Sequence, residues 1–214
     1  MANLANVAAT LMEHLCTHSW HGYTQAGGRW GDGEGVCEVE VEGKVYAVEQ
    51  GDRDCSSAVI DCWKQALKGT PYDGKLDAAT YTGNMKEVFV ASGLFEWKPM
   101  SFIAQRGDIY LNHQKHTAMC TSAVPDMLAE FVLNENGGIT GGKVGDQTGK
   151  ESHVRAYYDF PWDGILHYNG KADTAETDEE RDIFELLQEM REILGDIEAD
   201  VAELRGVLDL LRKC

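Results

Sequence analysis

Five short apolar segments, "GDIYLN", "HTAMCTS", "LAEFVLNE", "SHVRAYYD" and "DGILHYN", follow one another between residues 107 and 169, separated by Gly, Asn, Asp and Pro. Segments of that length bounded by turn residues read as strands. Ahead of them the period is helical. "LANVAATLMEHL" is amphipathic, residues 56–67 repeat their apolar positions with helical spacing, and "TGNMKEVFVASGL" makes a further helix ending on Gly93. Between the first two helices lie a Gly-rich loop, "HGYTQAGGRWGDGEG", and an alternating stretch, "CEVEVEGKVYAVE", that reads as a hairpin turning at Glu42 and Gly43. Helices packed on an antiparallel sheet define an α+β domain.

A chain of 214 residues with 43% hydrophobic residues can bury a real core. It has no apolar run of membrane-spanning length, and its start, "MANLANVAATLMEHLC", lacks a basic segment and is interrupted by Glu13 and His14. Neither membrane insertion nor a standard signal peptide is expected, so synthesis is placed in the cytoplasm. A net charge of -17 repels phosphate backbones and anionic lipids, which removes nucleic acid from the expected partners. Cysteines at 16, 37, 55, 62, 120 and 214 form no CxxC pair and no disulfide framework, and are expected reduced. "HLCTHSWH" gathers His14, Cys16, His18 and His21, but on a helix these positions point apart, so no metal and no cofactor is expected.

Much of the acidity sits at the C-terminal end, where residues 173–214 hold 14 acids against 5 bases. Thr177 with Glu180 forms a capping-box start. From there Ile183, Leu187, Met190, Leu194, Ile197, Val201, Leu204, Leu208 and Leu211 alternate steps of four and three, the seam of a left-handed coiled coil. With Leu187, Leu194, Val201 and Leu208 at a, the g positions are Leu186, Ile193, Asp200 and Val207, a face wide enough to favour a trimer or tetramer over a dimer. A single helix lying on the domain's own surface is the other reading of the same pattern.

The stretch "DRDCSSAVIDCWKQAL" carries two cysteines with different positions on one helix. Cys62 falls in the helix body, where a thiol packs as a small hydrophobe. Cys55 falls in the first turn, where unpaired N–H groups and the helix dipole favour thiolate, and Asp54 and Ser56 beside it are good capping residues. A cysteine nucleophile needs a base and a group to orient it. His116 opens a strand, and Glu130 lies in the next strand between Ala129 and Phe131. On pattern alone a buried structural His116 and an ordinary solvent-facing Glu130 remain open as alternatives.

"RDCSSAVIDCW", "TYTGNMKEVFVASGLFEW", "QRGDIYLN", "KHTAM" and the segment from "MLAEFVLNE" through "GDQTGKE" to "DGILHYN" together resemble the bacteriophage peptidoglycan amidohydrolases, the endolysin branch of the NlpC/P60-like papain-fold cysteine hydrolases. The resemblance covers roughly residues 20–169. It implies a papain-like domain, taken as residues 1–170; the composition and heptads beyond it give a linker at 171–177 and the coiled-coil helix at 178–214. It also implies Cys55 as nucleophile, His116 as general base and Glu130 as the orienting third member, where many NlpC/P60 relatives carry a second His. The implied substrate is an amide bond of the bacterial cell-wall stem peptide, cut as an N-acetylmuramoyl-L-alanine amidase or a γ-D-glutamyl endopeptidase after export or lysis. Tyr46 resembles an upstream tyrosine of related enzymes, with a hairpin core tyrosine as the alternative.

Trp30 and Trp162 could line a groove for peptide or glycan, or could pack in the core. "GGKVGDQTGKES" fails the spacing of a phosphate loop, "RGD" at 106–108 reads as a turn feeding a strand, and "GDGEG" reads as a flexible loop. Two competing functions share these residues: a catalytically silent papain-like binding or structural protein of a phage particle or cell surface, and a cysteine acyltransferase of the transglutaminase kind.

Overall fold

The computed structural model describes residues 3–31 and 35–174, together with the helical residues Leu186, Met190, Ile193, Leu194, Ile197 and Val201. The chain divides into two compact units, residues 1–175 and 176–214.

In the first unit, helix α1 (Leu4–Thr17) is followed by hairpin β1 (Val36–Val41) and β2 (Lys44–Glu49), then by α2 (Cys55–Leu67) and α3 (Thr82–Ala91). Strands β3 (Phe95–Lys98), β4 (Ile109–Asn112), β5 (His116–Ala123), β6 (Asp126–Phe131), β7 (Ser152–Ala156) and β8 (Gly164–Tyr168) come next, and a 3-10 turn spans Lys171–Thr174. The hairpin is its own two-stranded sheet; the rest form a six-stranded antiparallel sheet in the order β3-β8-β4-β5-β6-β7. Helices and antiparallel sheets make the fold α+β, as the periodicities indicate. The hairpin turns where expected, with φ of 52° at Glu42 and 80° at Gly43. Positive φ at both central residues matches the right-handed twist of the strands.

Helix α1 starts on Asn3, whose side chain accepts a 3.0 Å hydrogen bond from Asn6 N. It buries Leu4, Val7, Ala8, Leu11, Met12 and Leu15, the stripe set by its 3.6-residue period. That stripe, the buried face of α2 and one face of the large sheet enclose the main core, where Trp63 meets Phe95 and Tyr168 at ring distances of 4.8 and 4.7 Å. Trp63 Nε1 donates to the Gly107 carbonyl at 3.2 Å. Gly107 has φ of 92°, and a Cβ there would come within 2.8 Å of Ala5, so only glycine lets this turn approach α1. The opposite face of the sheet is covered too: Tyr110, Ala118, Cys120, Leu128 and Ile165 pack with Trp162, Phe160, Tyr157 and Tyr158. Burial on both faces explains why β4 is buried at every position instead of alternating.

Two features depart from the sequence reading. β3 was not expected; it is a four-residue edge strand that begins directly after α3, and it pairs with β8. Lys171–Thr174, read as the start of a linker, is instead fixed to the domain: Ala172 is buried, and the Asp173 carboxylate accepts from Leu4 N at 2.8 Å and Tyr168 Oη at 3.0 Å. In the second unit Met190, Leu194, Ile197 and Val201 of the expected seam are helical and exposed, as are Leu186 and Ile193 at g. Ile183, Leu187, Leu204, Leu208 and Leu211 lie outside the described residues.

Candidate active site

Helix α2 begins at Cys55 because Asp54 caps it. The Asp54 side chain accepts from Ser57 N at 2.7 Å and Ser56 Oγ at 2.8 Å, while Ser57 Oγ accepts from Asp54 N at 2.9 Å, a reciprocal capping box. Arg29 pairs with the other Asp54 oxygen and donates to the Thr80 carbonyl at 2.7 Å, so the cap is anchored from outside the helix. The segment leading to it is laced to residues 20–24: Gly51 N bonds Trp20 O, Arg53 N bonds Gly22 O, and Thr24 N bonds Arg53 O, at 3.0, 3.0 and 3.2 Å.

Cys55 is buried at this helix start, and α2 packs on β5. The backbone N–H groups of Thr117, Ser56 and Cys55 itself act on its sulfur. They do not produce a free thiolate. Burial first, and the Asp54 carboxylate second, push the Cys55 thiol up to about 12. The helix start therefore does not by itself ionise this cysteine, contrary to the expectation from its position: loss of solvent outweighs the dipole. Cys62 lies inside the helix body, buried, its Sγ 4.0 Å from Met12 Sδ.

His116 opens β5 and Glu130 lies in β6, and the two meet: His116 Nε2 is 2.6 Å from Glu130 Oε2. Strand pairing explains the meeting. Cys120 faces Leu128 across β5 and β6, and His116 and Glu130 lie an even number of residues from that pair, on the same face of the sheet. Glu130 is fully buried, accepts a 2.8 Å bond from Tyr158 Oη, and is paired with Arg155 through its other oxygen. Burial alone would raise the Glu130 carboxyl; the His116 and Tyr158 bonds and the Arg155 charge outweigh it and hold it below the usual carboxylate range. The His116 ring is walled by Trp162, nearly parallel at 5.7 Å, and by Phe160, edge-on at 5.5 Å. Cys55 is placed against Thr117, the residue after His116. No hydrogen bond joins Cys55 to His116 among the described residues; in sites without substrate such bonds are commonly long.

Of the three residues expected to line a groove, Trp162 stands beside His116, and Trp30 bridges to Arg53 next to the Asp54 cap. Tyr46 does neither: it sits opposite Val39 in the hairpin and is packed in the main core. The tyrosine near the sulfur is Tyr23. Burial, and after it the charge of Cys55, push its phenol up, and it bridges to Arg53. Its backbone N–H donates to the buried Glu151 carboxylate at 2.9 Å, which also holds Gln147 N at 3.0 Å, so the "GDQTGKE" loop is fastened to the site. Tyr23, Arg29, Arg155 and Tyr158 were not singled out in the sequence. Arg155 alone left a signal, as a charged position in an otherwise sheet-forming run.

The "HLCTHSWH" reading also changes. Helix α1 stops at Thr17 and the chain turns back, with His21 N bonded to His18 O at 3.3 Å, so His14 and His21 do not diverge as they would on a continued helix. They converge on Cys37 of β1, not on Cys16, whose Sγ contacts the Glu130 carbonyl at 3.5 Å. Burial holds His21 down to about 3, and burial with His18 holds His14 down to about 4, so both rings are neutral at neutral pH.

No helix among the described residues is long and apolar enough to cross a membrane. A comparison with curated proteins and one with solved structures each give no match. The family model described as "Endolysin-like domain" matches residues 1–125 and 129–177, nearly the whole first unit, and it fits action on the cell wall. The chain therefore belongs to the endolysin-like domain family.

Proposed function

We propose that the chain is a cysteine peptidoglycan hydrolase of the NlpC/P60 papain-like kind, with Cys55 as nucleophile, His116 as general base and acid, and Glu130 as the group that positions His116. The observation that carries this reading is the 2.6 Å His116–Glu130 bond at the start of the strand whose next residue, Thr117, directs its N–H at the Cys55 sulfur.

The chemistry follows from the protonation states. The resting thiol keeps its proton, so attack requires its transfer to His116 as the sulfur approaches a stem-peptide carbonyl. Glu130 on Nε2 leaves Nδ1 for this transfer and stabilises the imidazolium that results. The C–S bond forms and the tetrahedral oxyanion is met by N–H groups at the start of α2. Ser57 N is already committed to Asp54, so the Cys55 and Ser56 N–H groups, which face the sulfur at rest, would turn to that role. His116 then gives its proton to the departing amine as the C–N bond breaks. A water molecule, deprotonated by His116, cleaves the thioester and restores the thiol. Trp162, beside His116, and Trp30, beside Arg53, would form walls of the substrate groove.

Purified cell walls test this. Wild-type protein is expected to clear their turbidity and to release fragments in which mass spectrometry finds one newly opened amide, at the sugar–peptide junction for an amidase or inside the stem peptide for an endopeptidase. Walls that bind the protein without release of fragments would favour the silent binding protein. Attachment of an added amine instead of water would identify an acyltransferase.

We also propose that the second unit assembles the chain into a trimer or tetramer, supported by exposed apolar side chains at Leu186, Met190, Ile193, Leu194, Ile197 and Val201. Several catalytic units on one stalk would raise avidity for a polymeric wall. Light scattering on the full chain, and on a chain ending at Ala175 so that the Asp173 contacts survive, is expected to give an oligomer and a monomer respectively. A monomeric full chain at micromolar concentration with unchanged activity after truncation would assign the helix to a strut or spacer.

A further inference from the structure

His14 stands in the last turn of α1, His21 in the loop that follows, and Cys37 on the inward face of β1 with Val39 and Val41. His14 Nε2 is 3.3 Å from Cys37 Sγ, and one ligand atom from each of the three residues lies within 4.8 Å of the others. His21 supplies a second, separate observation. Its side chain is wholly buried, and its Nε2 has no hydrogen-bond partner.

The other nitrogen of that ring is already engaged. Arg53 Nη1 lies 3.4 Å from Nδ1 and, because arginine can only donate, Nδ1 accepts there, beside the Gly51 carbonyl; Asp61 matches the Arg53 charge at 2.9 Å. Nε2 is thus the one ring nitrogen without a partner, and a buried polar atom in that state is costly and uncommon in native proteins. A cation on Nε2 would move the ring proton to Nδ1, where the Gly51 carbonyl can accept it, and a carbonyl so placed is the usual support of a metal-binding histidine.

We propose that His14, His21 and Cys37 form a binding site for a thiophilic divalent cation, zinc in the first instance. Two imidazoles and a thiol suit zinc better than magnesium or calcium, which prefer oxygen. Bonds of about 2.0–2.1 Å to nitrogen and 2.3 Å to sulfur place tetrahedral ligands roughly 3.3–3.6 Å apart, so the observed cluster needs only side-chain adjustment. Binding displaces the Cys37 thiol proton, now shared with the Val48 carbonyl at 3.4 Å or with His14, to solvent. Water takes the fourth position on the half-exposed side of His14 and Cys37. The ion would fasten the end of α1, the 18–23 loop and the hairpin together, next to the 51–53 segment that runs into the Asp54 cap. Its role is structural and does not depend on the proposed hydrolase chemistry.

The test uses full-length, tag-free, reduced protein stripped with a chelator. Titrated cobalt is expected to give a thiolate-to-metal charge-transfer band that saturates at one equivalent and is bleached by zinc, and zinc is expected to raise the melting temperature. Cys37→Ser should abolish the band, and competition with a chromophoric chelator should show zinc affinity falling by at least ~10- to 100-fold, the loss typical of perturbing a site's support. Absence of the band in the wild type, or its persistence in Cys37→Ser, overturns the site. Should Cys37→Ser fail to fold by circular dichroism, His14→Gln decides: the same fall in zinc affinity supports the site, and unchanged affinity overturns it.

Discussion

Cys55→Ser is expected to reduce wall clearance to background, while Cys62→Ser, the same chemical change seven residues along the same helix, keeps it. Under the proposed mechanism the sulfur at the helix start is the nucleophile, and oxygen there would be a poorer one whose proton His116 would remove far less readily; loss of a catalytic triad member removes several powers of ten in rate. Cys62 points into packed apolar surroundings beside Met12. A hydroxyl there costs about 1–3 kcal/mol, an effect read as a lower melting temperature without loss of specific activity in the folded fraction. Turbidity assays beside thermal melts separate the two outcomes. A dead Cys62→Ser with an active Cys55→Ser would move the nucleophile out of the helix start.

Glu130→Gln is expected to lower the turnover number by roughly 10²- to 10⁴-fold, because a neutral amide does not stabilise the imidazolium and can hold the wrong His116 tautomer. An amide N–H donated to Nε2 would put the ring proton on Nδ1, the nitrogen needed to receive the thiol proton. Volume is conserved, so the fold should survive. The variant has a second signature. Because the Glu130 pKa is depressed in the folded state, its contribution to stability is full above the unfolded value of about 4.3 and is lost as pH falls through the lower folded value. The stability gap between wild type and variant should therefore narrow in acid. Near-normal turnover at neutral pH would remove Glu130 from the site.

Where period and chemistry agreed, the chain was legible. The alternation across residues 37–49 with Glu42-Gly43 at its centre specified a hairpin, and Asp54 and Ser56 marked the start of α2, although the capping-box partner is Ser57. β3 was hidden because its four residues leave α3 without a loop long enough to announce a new element. Tyr46 drew attention through its likeness to an upstream tyrosine of related enzymes, whereas Tyr23, farther from Cys55 in sequence, is brought in by pairing with Arg53. Burial around Cys55 was invisible as well, since helix position reports the dipole but not how much water the rest of the fold removes. The convergence of His14, His21 and Cys37 needed the end of α1 and the seating of β1, neither of which a local pattern contains.

Asp173 has a topological consequence. One of its oxygens holds both the amide that opens α1 and the hydroxyl that closes β8, so the points where the polypeptide enters and leaves this domain are a single carboxylate apart. A domain with neighbouring ends behaves as a cassette: it can be spliced into a surface loop of an unrelated host without stretching either protein, or be circularised and reopened elsewhere. The architecture is thus ready for transplantation as a single module, provided the cut falls after Asp173 and not before it.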